Sequence, residues 1–406
     1  MICGLLGKKL GHSYSPQIHA LLKDYDYKLF EVLPEGLEDF LKNGDFRGIN
    51  VTIPYKKDVI PYLTALSDTA KRIGSVNTIV RKADGLHGYN TDHYGFMYMV
   101  KSTGTDVTGK KAIVLGSGGA SLTVVDVLKS LGAAEVIVIS RKGENNYENI
   151  SLHYDAEIIV NAAPVGMYPG NGECLIDLAQ FKNCICVLDI VYNPSLTAIL
   201  LQAEQLGIPF ENGLSMLVAQ AKCAAELFAD TEIPDSVIPE ITARLGAQMK
   251  NIVLIGMPGC GKSSVGRRLA ADLNRDFFDA DKEFERITGI FPGTYITTYG
   301  EAAFRKKEQE VLSELCKKSA CVISTGGGCV TVPSNYPILH QNSSIVWVRR
   351  HTSLLPTKGR PLSQQNSLAD MYITRAPMYC TFCDIQVKNE VSVTDTADKI
   401  KRSLKL

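Results

Sequence analysis

The stretch NIVLIGMPGCGKSSVGRRLAADLN, residues 251–274, leaves the chain little choice of local fold. An apolar strand must run into a glycine-rich turn, and a helix must begin near Lys262. Gly256, Gly261, Lys262 and Ser263 fit the spacing G-x-x-x-x-G-K-[ST], a phosphate cradle. In such a cradle the backbone of Gly256, Gly259, Cys260, Gly261 and Ser264 wraps nucleotide phosphates, Lys262 meets the β- and γ-phosphates, and Ser263 holds Mg2+. Far upstream lies a glycine turn of another design, VLGSGGAS, Val114 to Ser121. Gly116, Gly118, Gly119 and Ala120 sit there at a strand-to-helix turn of dinucleotide-binding type, with Ser121 in place of the third glycine.

Two nucleotide turns need more than one domain, and 406 residues supply two or three. Strand–helix alternation puts the whole chain in the α/β class and predicts parallel sheets, with ligands at strand ends, in the Rossmann-like and P-loop domains. Residues 1–103 read as an α/β substrate domain, with strands at ICGLLG, KLFEV and GINVTI and a hairpin around Lys82 to Asp84. Residues 104–213 read as a Rossmann-like domain. Residues 214–249 read as a long helix, able to fold back onto the first domain, and a linker containing Pro234 and Pro239. The P-loop domain occupies 250–406.

Lys plus Arg and Asp plus Glu both number 43, so no basic field favours nucleic acid. No apolar run has membrane length, and the amino terminus breaks into Gly, Lys and Pro too early for a signal peptide. A cytoplasmic enzyme is expected. Most of the eleven cysteines lie in apolar runs and read as free buried thiols. Cys380 and Cys383 form one CxxC with no partner pair nearby, too little for zinc. The oligomeric state is left open.

In FFDADKEF, Asp279 and Asp281 follow an apolar strand end. Two apart in an extended segment, they face one side, one suited to a hydrated metal and the other to an attacking hydroxyl. An acidic pair at a helix N-terminus is the equal alternative. Arg305, Arg360 and Arg375 suit carboxylate or phosphate, although each alone is more often a surface residue. STGGGC, Ser324 to Cys329, allows a small ligand close to backbone, and Thr357 to Pro361 has the punctuation of a lid. In the first domain, Ser13, Ser15, Asn77, Lys56 and Asp92 lie in polar clusters at strand ends. Lys56 with Asp92 could pass a proton at a carbonyl while hydride arrives, although a solvated lysine and a capping aspartate are the plain alternatives. Ser140, Arg141 and Lys142 form a basic strand tip without an acid, which fits the 2′-phosphate of NADP or a solvated strand end.

From about Lys250 onward, GKSS, DAD, GEAAFRKKE, GGG, RPL and RAPMY occur in the order of the shikimate kinase family, which this stretch resembles. The resemblance implies that Asp279 serves the Mg2+ shell and that Asp281 contacts shikimate hydroxyls near the transferred phosphoryl. It implies that Arg305 and Arg375 hold the shikimate carboxylate, that backbone around Gly327 lines the pocket, and that Arg360 reaches the phosphates from the lid. Residues 347–360 and 360–375 look shorter than in that family. Residues 1 to about 245 resemble the shikimate dehydrogenase family through HSYSP, NVTIPYK, GSVNT, NTD, LGSGGAS, NAAPVGM, DIVYNPSLT and GLSMLVAQA. This second resemblance implies that Ser13 and Ser15 bind the substrate carboxylate and that Lys56 and Asp92 are the proton-transfer pair. Thr52, Asn77 and Gln220 would contact ring hydroxyls, with Tyr192 near the cleft. Gly213 and Met216 would border the nicotinamide, and Asn161, Ala162, Val165, Gly166 and Met167 would form a cofactor-facing loop. The connection from Arg141 to Asn161 looks trimmed, on the adenine side of the cofactor.

Together the resemblances imply two consecutive reactions with NADP(H), ATP and Mg2+. NADPH-dependent reduction of 3-dehydroshikimate to shikimate would be followed by phosphorylation to shikimate 3-phosphate. The alternative is a quinate/shikimate-type dehydrogenase fused to a weakly active kinase-like binding or regulatory domain.

Overall fold

The apolar runs that read as parallel strands are buried along nearly their whole length, as strands covered on both faces must be. The computed structural model describes residues 1–11, 13–355 and 367–406. Arg360 and the Thr357–Pro361 segment expected to act as a lid lie outside the described residues. In chain order the strands are β1 Ile2–Gly7, β2 Asp26–Glu31, β3 Gly48–Val51, β4 Ala65–Leu66, β5 Thr78–Lys82, β6 Gly85–Tyr89, β7 Lys111–Leu115 and β8 Glu135–Ile139. They continue as β9 Ile158–Asn161, β10 Cys186–Asp189, β11 Phe210–Asn212, β12 Asn251–Ile255, β13 Phe277–Asp279, β14 Val322–Ser324, β15 Ser343–Arg349 and β16 Ile385–Lys388. The helices that place functional groups are α1 Ser15–Leu22, α2 Asp68–Ile73, α3 Thr91–Ser102, α4 Gly119–Ser130, α5 Gly213–Ala229, α6 Val237–Met249, α7 Lys262–Leu273, α8 Ala280–Thr288, α9 Glu301–Cys316 and α10 Leu368–Phe382.

Contacts divide the chain into two units. The first comprises Met1–Met167, Glu173–Tyr192 and Ile199–Arg244; the second comprises Leu245–Leu406 with the short pieces Tyr168–Gly172 and Asn193–Ala198. The first unit holds two sheets. One has the order β2-β1-β3-β5-β6-β4 and is mixed, because β5 runs antiparallel to both β3 and β6. The expected hairpin is present, with Lys82 opposite Gly85. The other has the order β11-β10-β9-β7-β8 and is parallel throughout. Helix α5 does return to the first sheet, where Phe228 packs with Cys3, Val80 and Ala224. A Cβ at Gly48 would overlap the Phe228 ring, so the helix seats on a strand position that only glycine permits.

The second unit is built on the parallel order β13-β14-β12-β15-β16. Its core gathers β12, β14 and β15 residues with Leu269, Leu312 and Tyr379. The stretch read as a linker runs at Val237 into the helix α6. Pro239 stands in its first turn, where backbone N–H groups have no acceptor within the helix and a missing one costs little. No helix among the described residues is long and apolar enough to cross a membrane.

His19 on α1 is 1% exposed, its ring stacked 4.0 Å from that of Tyr27 and its Nδ1 2.5 Å from Tyr25 Oη. Burial pushes its pKa down to about 3, so the folded chain keeps this ring neutral. The unfolded chain takes up the proton below about pH 6.5. The unfolded state therefore binds more protons between these values, and stability falls as pH drops through the window, by at most about 1.4 kcal/mol per pH unit. His19→Gln should flatten the pH slope of the first unit's unfolding free energy between about pH 6 and pH 4. Urea titrations giving parallel slopes for variant and wild type would remove His19 from that role.

Candidate active sites

The first site is assembled around the amino end of α3. Lys56 Nζ lies 2.6 Å from Asp92 Oδ2, with the two side chains 25% and 15% exposed. Asn90 caps α3 by accepting from His93 N, which puts Asp92 in the first turn. The Lys56 carbonyl accepts from Val76 N at 2.8 Å, fastening the lysine turn beside the segment that carries Asn77. Asn77 is buried; its Oδ1 accepts from Thr91 N at 2.6 Å, and its Nδ2 reaches Thr91 Oγ1 at 3.1 Å and Gln220 Oε1 at 3.5 Å. Gln220 arrives on α5. That helix can approach α3 because residue 95 is glycine, where a Cβ would lie 2.6 Å from the Met216 carbonyl oxygen.

Ser15 N donates to Ser13 Oγ at 3.2 Å at the start of α1. Thr52 follows β3, with its N–H bonded to the Leu6 carbonyl at 2.9 Å. Tyr192 meets Tyr14 edge to face at 6.2 Å, and burial raises the pKa of both phenols. The geometry thus joins Lys56 to Asp92, and Asn77 to Gln220, on residues far apart in sequence.

The upstream glycine turn opens α4. Gly116 has φ +106°, and a Cβ there would lie 3.1 Å from Ala163 N, so the turn tolerates no side chain. Gly118 and Gly119 face open space within 4 Å, leaving the helix N-terminus accessible to a dinucleotide pyrophosphate, and Ala120 follows in the first turn. Asn161 ends β9 buried, bonded to Asp189 Oδ1 at 2.9 Å and accepting from Ala163 N at 3.1 Å. Its side chain therefore shapes the Ala162–Met167 loop. Met216 packs into the core beside Val160 and Ala162, and Gly213 starts α5 where a Cβ would strike the Ile190 carbonyl. Arg141 and Lys142 are exposed at the end of β8, and Ser140 N donates to Asn145 O at 3.1 Å. The connection from Arg141 to Asn161 contains a 3-10 turn at Ile150–His153 and is tied to itself, with Asn149 Nδ2 on Glu144 O at 2.8 Å and His153 on Asn145 at 3.0 Å.

The second site is a cavity of about 350 Å³ lined by Gly259, Gly261, Lys262, Ser263, Ser264, Asp279, Asp281, Thr325, Gly327 and Arg350, among others. Gly261 has φ +101° and precedes α7, as the cradle requires. Gly256 leaves no room for a Cβ, which would overlap the Val348 carbonyl, and Cys260 is buried behind the turn. Lys262 Nζ curls onto the carbonyls of Gly256 and Met257 at 2.9 and 3.1 Å. Ser263 Oγ lies 2.6 Å from Asp279 Oδ2, a hydroxyl beside a carboxylate, the hard oxygen donors that suit Mg2+.

Asp279 and Asp281 do not share one extended segment. The strand ends at Asp279, which caps α8 by accepting from Asp281 N at 3.2 Å, and Asp281 lies in the first helical turn. Both still line the cavity, so the capping and the chemical readings are compatible. The triple-glycine turn gathers the rest. A Cβ at Gly326 would lie 2.5 Å from Glu308 Oε1 and 3.2 Å from Asp281 Oδ1; one at Gly328 would overlap the Arg305 guanidinium. The Gly327 carbonyl accepts from Arg375 Nη1 at 3.2 Å and from the Tyr379 hydroxyl.

Sequence reasoning missed Glu308, Glu301 and Tyr379. Arg305 donates to Glu308 Oε2 at 2.7 Å and to Glu301 Oε1 at 3.0 Å. Burial pushes the Glu308 carboxyl pKa up, and the Arg305 guanidinium opposes that shift. Their positions one helical turn either side of Arg305 were the available signal.

A shikimate kinase family model matches residues 258–405, and a model for the shikimate dehydrogenase substrate-binding domain matches residues 5–79. Shikimate dehydrogenase (NADP(+)) of Clostridium beijerinckii is 37% identical over 254 residues, 58% of this chain and 94% of the relative. The crystal structure of a chorismate mutase/shikimate 5-dehydrogenase fusion protein from Clostridium acetobutylicum aligns with TM-score 0.58 and 36% identity over 60% of this chain and 96% of that one. Shikimate 5-dehydrogenase from Thermus thermophilus, in complex with NADP(H) and shikimate, aligns with TM-score 0.55 and 29% identity over 60% of this chain and 99% of that one. The chain belongs to the shikimate dehydrogenase family through its amino-terminal part and continues into a shikimate kinase domain, which makes it a bifunctional shikimate-pathway enzyme.

Proposed function

We propose that the first unit reduces 3-dehydroshikimate to shikimate with NADPH, and that the second transfers a phosphoryl group from Mg-ATP to the shikimate 3-hydroxyl. The observation that carries the first reaction is the Lys56–Asp92 pair at 2.6 Å. Bound NADPH supplies the hydride. Lys56 donates a proton to the carbonyl oxygen as that oxygen gains charge, and Asp92 holds the ammonium in line. Thr52, Asn77 and Gln220 hold ring hydroxyls, Ser13 and Ser15 meet the carboxylate, and Tyr192 borders the ring. Gly213 and Met216 flank the nicotinamide, and Asn161 supports the loop beside it. Ser140, Arg141 and Lys142 take the 2′-phosphate at an exposed strand tip.

In the second unit the carrying observation is the convergence of Lys262, Ser263, Asp279 and Asp281 on one cavity. Bound Mg-ATP supplies the phosphoryl group. Lys262 exchanges the loop carbonyls for phosphate oxygens, and Ser263 with Asp279 holds the metal. Asp281 orients the attacking hydroxyl and accepts its proton. Arg305 and Arg375 grip the carboxylate against the Gly327 backbone.

Lys56→Ala should slow NADPH oxidation by roughly 10²- to 10⁴-fold while the kinase rate of the same preparation stays at the wild-type level. Dehydrogenase turnover that survives the change would take Lys56 out of the mechanism. Asp281→Asn should retain ATP binding by calorimetry and lose most phosphoryl transfer; wild-type transfer would count against its role. Arg141→Ala should raise KM for NADPH about tenfold or more and leave KM for NADH unchanged, as expected for a lost charge-assisted contact. An equal rise for both cofactors would contradict the 2′-phosphate assignment. Turnover of quinate without shikimate would redirect the substrate assignment.

A further inference from the structure

The first turn of α3 does more than present Asp92. Asn90 Nδ2 donates to Ser75 O at 2.9 Å, Thr91 bonds Asn77, Asp92 pairs with Lys56, and His93 Nε2 lies 3.2 Å from Asp126 Oδ2. Asp126 is on α4, the helix that begins at Gly119. The same carboxylate receives a two-point fork from Arg72 of α2, Nε to Oδ1 at 2.7 Å and Nη2 to Oδ2 at 2.9 Å. Thus Arg72, from the substrate half, holds a carboxylate of the dinucleotide helix, and the ring of His93, next to the proposed proton-transfer aspartate and with its pKa pushed down by burial, packs beside that carboxylate.

We propose that the Arg72–Asp126 fork, seated against the ring of His93, is a clamp that sets the glycine turn against the Lys56–Asp92 pair, making Arg72 and Asp126 positioning residues for the cofactor. The inference rests on the NADPH reading of the first unit.

An isolated exposed ion pair does little. Here the carboxylate is 17% exposed, the fork fixes its plane, and the three side chains come from three helices. Asp126 stands seven residues into α4, about 10 Å along its axis from the turn. A helix is stiff over that length, so any slip at Asp126 carries to Gly118 and Gly119. Misplacing reacting groups by about 1 Å can cost about 10²-fold in rate. Through the shared turn at Asn90–His93 the clamp refers the cofactor to Asp92. The substrate ring is held instead by the Asn77 bonds, which do not run through Asp126. The Arg72 side chain is 51% exposed, which leaves its arm of the clamp open to screening by salt.

Asp126→Asn, Arg72→Gln, Arg72→Lys and the Asp126→Asn/Arg72→Gln double variant, each in the full chain, test this. The clamp requires that Asp126→Asn and Arg72→Gln each lower kcat/KM for NADPH about tenfold. KM for 3-dehydroshikimate should stay within about twofold, and the kinase rate in the same samples should be unchanged. Arg72→Lys should fall between wild type and Arg72→Gln, and the double variant should lose no more than the worse single one. Raising salt should erode the wild-type advantage over Arg72→Gln. Wild-type NADPH kinetics in both single variants would overturn the clamp. So would equal losses for both substrates that track a lowered melting temperature, which indicate a merely structural pair. Should the wild type not reduce 3-dehydroshikimate at all, the activity assignment fails. NADPH titrations followed by fluorescence then decide the clamp alone: a Kd about tenfold weaker in the variants upholds it, and an equal Kd, or no binding by the wild type, overturns it.

Discussion

A buried side-chain amide left without partners costs about 1–3 kcal/mol, and Asn77 is where the dehydrogenase half meets that demand. Its partners come from α3 and from α5, the latter 143 residues away in sequence. The chain of bonds continues inward: Thr91 Oγ1 lies 3.0 Å from Thr78 Oγ1, Asn50 Nδ2 donates to Thr78 at 3.2 Å, and Tyr27 donates to Asn50 Oδ1 at 2.8 Å. All four of Asn50, Asn77, Thr78 and Thr91 are buried, so their bonds form in surroundings of low dielectric and the members fix one another's orientation. This explains why α5 must return to the first sheet after the Rossmann half is complete. It also explains why Gly48 and Gly95, where that helix presses closest, carry no side chain.

The kinase half solves a related problem with charge. Glu308 is 4% exposed, and a carboxylate so placed is costly unless it is paired. Arg305 pairs with it while also reaching Glu301, which holds the guanidinium plane in one attitude. Such a pair contributes little net stability, since desolvation of both ions offsets their attraction. What it does supply is direction. The glycines at 326 and 328 let the two charged groups press against the turn, and the Gly327 carbonyl fixes Arg375 from the opposite side.

The parallel sheets, both glycine turns and the returning helix were legible because each is written in local periodicity or in a contiguous motif. The pairing of Lys56 with Asp92 was legible only through family resemblance, since composition cannot join residues 36 apart. Asp281 was read in an extended segment because alternation does not show that Asp279 caps a helix, which puts Asp281, two residues on, in the first helical turn. Helix α6 was hidden by Pro239, which reads as a breaker although a first-turn proline is tolerated. Glu308 went unnoticed because helical spacing alone does not say which of several acids is buried. The Arg72–Asp126 fork joins residues 54 apart on helices of different sheets, and no local pattern announces it.

The two proposed sites receive the same ring carboxylate with different chemistry, and the reactions account for the difference. In the proposed carbonyl reduction Lys56 must carry the proton it gives up, and a neighbouring guanidinium would favour the deprotonated amine before the substrate arrives. Ser13 and Ser15, at the start of an eight-residue helix, can bind an anion through hydroxyls and backbone N–H groups without adding a full charge. In the proposed phosphoryl transfer the cavity would gather a carboxylate and a triphosphate beside the acids Asp279 and Asp281, an excess of negative charge. Arg305 and Arg375, at the Gly327–Gly328 turn, would offset that excess and would not compete with a proton donor, because the group proposed to act there is a base. Serines on one side and arginines on the other are thus what each reaction's charge balance requires of a pocket for one ligand.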